Sequence, residues 1–189
     1  MEKLSFASQY LESLSSIILG IDASQVQRAV ETLRDARDRG NTIYSCGNGG
    51  SASIASQMVV DLVKGGSYGK QTPRIKMIGL TDSIATVTAY ANDVSYDSVF
   101  VEQLKNWATP DDVLIAISGS GNSQNVLNAV EYANDRDVIT IGCTTAEGGK
   151  LKDLARIPLL VPSSHMGHLE DCFFAMTHVL CYAFIEDRV

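Results

Sequence analysis

Two short stretches of this chain carry residue types suited to holding a small anion. Gly47-Asn48-Gly49-Gly50-Ser51 ends an apolar run and opens SASIASQMVVDL. Ser118-Gly119-Ser120-Gly121-Asn122-Ser123 ends the run VLIAI and opens QNVLNAV. Glycine lets a backbone come close to a ligand. Ser51, Ser118, Ser120 and Ser123 add hydroxyl donors, and a helix that begins just after each loop adds its unpaired first amides. That chemistry suits a phosphate or a phosphorylated sugar and needs no lysine.

A dinucleotide is the competing ligand class, because Gly47-x-Gly49-x-x-Ala52 fits G-x-G-x-x-A by letter. That fingerprint also asks for an acidic residue roughly twenty positions on, at the end of the second strand. The nearest candidate here, Asp82, lies 35 positions after Gly47, and Val63–Tyr68 belongs to no strand. The sequence therefore favours a phosphosugar over a nucleotide cofactor.

The elements that must position these loops follow from periodicity. Leu4, Ala7, Leu11, Leu14 and Ile18 step by 3, 4, 3 and 4, a helical seam over residues 3–20. A second helix is read from Ser24, as N-cap, to Arg39, with Val26, Val30 and Leu33 on one side and Gly40 ending it. Short β-rich apolar runs follow at Thr42–Cys46, Ile75–Leu80, Val113–Ile117, Val138–Cys143 and Ile157–Val161, most of them separated by helix-compatible segments such as Gln124–Asn134. Nearly all-apolar strands alternating with helices predict a parallel sheet covered on both faces. The expectation is an α/β fold: a five-stranded, doubly wound sheet in flavodoxin-like order 2-1-3-4-5. Strands 1 and 3 are then neighbours, and both loops open on the switch-point crevice. Residues 1–189 read as a single domain, with a helical hairpin at 1–40 and an α/β sandwich at 41–189.

Composition excludes several classes. The chain of 189 residues is 45% hydrophobic and 20% charged, and no apolar run is long enough to span a membrane. A net charge of −7 argues against direct nucleic-acid binding, which needs a basic surface. Cys46, Cys143, Cys172 and Cys181 form no CxxC pair and sit among apolar residues, so buried thiols are expected. His165 and His168 read as surface or rim residues, and the three histidines lack zinc-motif spacing. The N-terminus carries no cleavage pattern, and the protein is read as cytoplasmic.

GNGGS after the first strand, ANDVSYDSVF after the second and SGSGNSQNV after the third together resemble the SIS (sugar isomerase) domain, most closely the phosphoheptose isomerases, over nearly the whole chain. The resemblance implies conversion of sedoheptulose 7-phosphate to glycero-manno-heptose 7-phosphate through an enediol(ate). It implies a homotetramer with sites at subunit interfaces and with the hairpin used in oligomerisation. Ser118, Ser120 and Ser123 would hold the phosphate. Asn48, Ser51, Asn92 and Asp93 would meet the rest of the sugar, beside Gly49, Gly50, Gly119 and Glu170. Position 119, threonine in most of these enzymes, is glycine here.

Aldose–ketose isomerisation needs a base to move a proton between adjacent carbons and an acid to polarise the carbonyl. The resemblance assigns these roles to Asp61, where the family has glutamate, and to His178. Gln57 and Asp61 are spaced i, i+4 and share a helical face. Glu170 and His178 lie within about 80° of each other in projection on the last helix. The family often binds zinc through histidine, that glutamate, glutamine and that second histidine. These become Gln57, Asp61, Glu170 and His178 here, three of the four altered, so no metal is required by this reading and zinc is only a candidate. Two further readings stay open: an isomerase for another phosphosugar, and a non-enzymatic SIS-domain regulator that binds a replication-initiator protein.

Overall fold

The computed structural model describes residues 5–189. Leu4, the first residue of the helical seam, lies outside the described residues. Eight helices, α1 (Phe6–Leu19), α2 (Ala23–Arg39), α3 (Gly50–Val60), α4 (Ile84–Asp93), α5 (Val101–Trp107), α6 (Gln124–Asp135), α7 (Leu151–Leu154) and α8 (Met166–Ile185), surround five strands. The strands are β1 (Thr42–Gly47), β2 (Lys76–Gly79), β3 (Val113–Ile117), β4 (Ile139–Thr145) and β5 (Ile157–Val161). All pairings are parallel and the order is β2-β1-β3-β4-β5, as the alternation of strand and helix requires.

Side chains alternate across each strand, and the two faces build two separate cores. Ile43, Val113, Ile115, Ile141 and Leu159 pack with Val30 and Leu33 of α2, Met58 of α3 and Phe173 of α8. Tyr44, Cys46, Leu114 and Ala116 pack with Phe100, Leu104 of α5 and Val126, Val130 of α6. All four cysteines are buried free thiols.

Several boundaries differ from the sequence reading. Helix α2 is capped by Asp22, not Ser24. The Asp22 carboxylate accepts from the Ser24 N–H at 2.9 Å and from its hydroxyl at 2.6 Å, so the stronger acceptor takes the cap and Ser24 falls inside the first turn. Strand β2 is shorter than the apolar run, and β1 and β4 each run further than theirs. The α1 seam is not buried: no residue of α1 is, Leu11 is 63% exposed, and only Leu14 and Ile17 lean on the core. His168, expected at the rim, is buried against the ring of Tyr10, 4.4 Å between centroids. Tyr10 also donates to Asp171 at 2.7 Å, which ties α1 to α8.

Candidate active site

The register of β1 on β3 sets Gly47 beside Ile117. The chain leaves the two strands side by side, and the two loops meet at the switch point. A crevice of 160 Å³ opens between them, lined by Asn48, Ser51, Ile117, Ser118, Gly119, Ser120, Ser123, Met166 and Glu170. No lysine or arginine is among these residues. An anion held here is held by hydroxyls, amides and helix dipoles.

The second loop is built for that task. Ser123 precedes α6, yet its hydroxyl makes no capping bond. It faces the Ser118 hydroxyl at 3.1 Å instead. The Gly121 N–H donates to the Ser118 carbonyl at 3.0 Å and closes the turn, and the Ser120 hydroxyl accepts from the Asn122 N–H at 3.2 Å. Position 119 is glycine for a local reason: a Cβ there would lie 2.7 Å from the Met166 sulfur, so the family's threonine has no room while Met166 keeps this position.

The first loop is different. Its helix, α3, also starts without a side-chain cap, but a carboxylate is already there. Glu170 lies against Gly50, the first residue of α3, so closely that a Cβ at position 50 would collide with Glu170 Oε1. A negative group at the positive end of a helix is favourable, and it leaves little reason for a second anion to bind there. The structure thus gives Ser118–Ser123 the open helix start and Gly47–Ser51 the filled one.

Asp61 and His178 come together elsewhere. The Asp61 carboxylate accepts from Gln57 Nε2 at 3.0 Å through one oxygen. Its other oxygen, 3.9 Å from His178 Nε2, is buried without a hydrogen bond. That gap couples charges but exceeds a hydrogen bond. The Asp61 side chain is 18% exposed and the His178 side chain 51%. Asp61 also starts a local widening of the helix: over Asp61–Gly65 the hydrogen bonding shifts to i+5 spacing, with the Gly66 N–H on the Asp61 carbonyl at 2.8 Å. Insertions of this kind recur at functional sites. Burial, and then the Asp61 charge, push the neighbouring Cys181 thiol up, while burial alone takes Cys46 and Cys143 to about 12. None of these thiols is a nucleophile at neutral pH.

The remaining candidates are distributed as follows. Gly49 lines a second, smaller recess with Asn48, Tyr96 and Phe100. Asn92 and Asp93 are exposed at the end of α4, bonded to each other at 2.7 Å. Asp93 lines a groove on α4 with Tyr90 and Val94, so neither reaches the serine crevice of its own chain. The four zinc candidates do not converge within one chain. Gln57, Asp61 and His178 gather, but Glu170 sits eight residues back along α8, about 12 Å by helical rise, against Gly50. Among the described residues no group of three or more His, Cys, Asp or Glu side chains could hold a metal ion. The donor set of one chain does not fit a four-ligand zinc site, and no chemical step is routed through a metal below.

Sequence reasoning missed two residues that hold Asn48 of the crevice from behind its lining. Asn125, 2% exposed, exchanges two hydrogen bonds with Asn48, each 2.9 Å. The Tyr96 hydroxyl donates to Asn48 Oδ1 at 2.8 Å. Both residues stand inside the stretches SGSGNSQNV and ANDVSYDSVF, but only distances could separate them from their neighbours.

Fold and loops together define a doubly wound α/β protein that holds its ligand at the switch point. Residues 7–145 match the model of the SIS domain. The chain is 36% identical to a phosphoheptose isomerase of Helicobacter pylori, covering 90% of this chain and 87% of that protein. It is 40% identical to one of Aliarcobacter butzleri over 81% and 78%. Among solved structures, a phosphoheptose isomerase from Neisseria gonorrhoeae superposes with a TM-score of 0.87 at 28% identity, over 97% of both chains. One from Francisella tularensis gives 0.88 at 28% identity, over 98% of this chain and 100% of that one. The chain belongs to the SIS domain family and, within it, to the phosphoheptose isomerase family.

Proposed function

We propose that the protein is an isomerase that converts sedoheptulose 7-phosphate to glycero-manno-heptose 7-phosphate. One observation carries the reading: a chain of this family joins a cation-free serine crevice to an acid–imidazole pair, with Asp61 directly after α3 and His178 on α8. The phosphate rests on Ser118, Ser120, Ser123 and the first amides of α6. Asp61 and His178 then act on the open-chain sugar. One takes the proton from C1, while the other delivers a proton to the carbonyl oxygen at C2. The resulting enediol(ate) collapses to the aldose when a proton is returned to C2 and the hydroxyl on C1 gives up its proton to form the aldehyde carbonyl, which restores both groups to their starting states. No nucleotide or redox cofactor enters, since the reaction moves protons and leaves the oxidation level of the molecule unchanged. Relatives at this level of identity give no support to the reading as a partner of a replication initiator.

The working form we propose is a cytoplasmic homotetramer. The support is local. His178 shares a shallow surface with exposed Val179 and Tyr182, and Val60 and Val63, on either side of Asp61 in the chain, are exposed as well; exposed apolar side chains of this kind are what partners cover. The exposed side of α1 adds Phe6, Leu11 and Leu19. A second copy on this face would close water out around Asp61 and His178 and bring its own crevice toward them. The test uses sedoheptulose 7-phosphate in deuterated water. Turnover with deuterium at C2 of the aldose is expected. Absence of both turnover and exchange, with and without added zinc, would remove the assignment. Sedimentation as a monomer at micromolar concentration would remove the interfacial site.

A further inference from the structure

The Asn48 side chain is almost fully committed before any ligand arrives. Its Oδ1 accepts from Asn125 Nδ2 at 2.9 Å and from the Tyr96 hydroxyl at 2.8 Å, which fills both lone-pair positions. Its Nδ2 donates to Asn125 Oδ1 at 2.9 Å. The two amides thus form a closed, head-to-tail pair beside the crevice. Asn125 is itself fixed, because its Oδ1 also accepts the Val126 N–H at 2.9 Å at the start of α6. One N–H of Asn48 is left, and Asn48 lines the crevice with Ser118, Ser120, Ser123 and Glu170.

We propose that Asn125 and Tyr96 are positioning residues that lock Asn48 as a one-sided donor, presenting a single N–H to a ligand oxygen and no acceptor. The arrangement joins the segments that follow all three strands at the switch point: Asn48 after β1, Tyr96 beyond β2 and α4, and Asn125 after β3. The amide pair cannot rotate without breaking at least two hydrogen bonds, and Asn125 is buried, so the alternative orientation would leave unpaired polar groups away from water. The ligand group it selects is an acceptor, such as a phosphate oxygen or a sugar carbonyl or oxyanion, over a hydroxyl that must donate.

This inference rests on the isomerase reading for its kinetic test. Asn125→Asp keeps the shape and the bond to the Val126 N–H but replaces the donor toward Asn48 Oδ1 by an acceptor. It is expected to lower kcat/KM for sedoheptulose 7-phosphate about tenfold or more, as for loss of a positioned hydrogen bond. Tyr96→Phe, at an exposed turn that tolerates change, is expected to cost about two- to fivefold. The deciding measurement is a cycle with Asn48→Ala. In that background Asn125→Asp and Tyr96→Phe should each add less than about twofold, because the residue they position is gone. Effects that multiply, or single variants that match the wild type, would overturn the proposal. A second readout needs no substrate: in the ligand-free, 15N-labelled protein, the Asn48 side-chain N–H that bonds Asn125 Oδ1 should be protected from exchange and lose protection in Asn125→Ala, which removes that acceptor. If the wild type fails to isomerise the heptose but this protection is found, the reaction assignment falls and the lock stands. Fast exchange in the wild type would refute the lock whatever the activity.

Discussion

The crevice end and the Asp61–His178 end of the molecule are made by the same helices and work by different physics. Helices α3 and α8 both begin at the crevice, with Ser51 and with Met166 and Glu170; Asp61 follows directly after α3, and His178 lies further along α8. The crevice lining holds no cation, and what it offers an anion is fixed dipoles and hydroxyls aimed by loop geometry. At the other end a carboxylate with one buried, unpartnered oxygen stands 3.9 Å from a half-exposed imidazole. The first end is preorganised and closed by internal hydrogen bonds. The second keeps a buried carboxylate oxygen without a hydrogen bond beside a half-exposed imidazole. If the proposed roles hold, the contrast makes binding and proton transfer separable, and the two should fail separately.

The largest effect should come from the proton-transfer end. His178→Ala and Asp61→Asn are each expected to lower kcat by about 10²- to 10⁴-fold, the usual span for a positioned acid or base. Sugar-phosphate affinity measured by calorimetry should change by less than about threefold. The double variant should be little worse than either single, as for groups that act as a unit. A parallel loss of affinity would merge the two ends and break the comparison. The next effect belongs to the crevice. Ser118→Ala and Ser123→Ala each remove a hydroxyl from the 3.1 Å pair, and a hydrogen bond to a charged group is worth about 1.5–3 kcal/mol. KM should rise roughly ten- to a hundredfold with kcat nearly unchanged, the signature of uniform binding. A fall in kcat with KM unchanged would move these serines into the chemistry.

These two ends were not equally legible in the sequence. The sheet order, the two loops and their meeting point follow from strand–helix alternation and from one topological rule, so the crevice could be located from the chain alone. The serine hydroxyls of the second loop could be named because two glycine-serine loops fall together at the predicted switch point, where hydroxyls and free helix amides suit an anion. The pairing of Asp61 with Gln57 follows from i, i+4 spacing. What the sequence could not supply was anything set by approach between distant segments: the Glu170 carboxylate over Gly50, the Met166 sulfur over Gly119, and the Asn48–Asn125–Tyr96 lock. The α1 seam predicted a helix, which forms, but not which surface would meet its apolar side. Periodicity reports that a face is to be covered, and it does not say whether the cover comes from the same chain.

The smallest expected effect sharpens the comparison within the crevice itself. Glu170 is the one charged residue of the lining, and it lies at the start of α3, where the helix dipole favours it by about 0.3–1 kcal/mol. It also repels any phosphate bound on the neighbouring serine loop. Glu170→Gln removes the repulsion and keeps the shape. Inorganic phosphate should then bind about threefold more tightly at low salt. The difference should vanish near 1 M salt, where the screening length falls to about 3 Å. The thermal midpoint should drop by a few degrees at most, in line with loss of a dipole contact. Sedoheptulose 7-phosphate separates two uses of the same carboxylate. If Glu170 only fills the α3 start, the sugar phosphate tightens in step with phosphate. If it accepts a hydrogen bond from a sugar hydroxyl, the sugar phosphate weakens while phosphate tightens. Weaker phosphate binding in Glu170→Gln would mean that the carboxylate supports the serine loop instead of opposing its ligand, and the division between a filled and an open helix start would have to be given up.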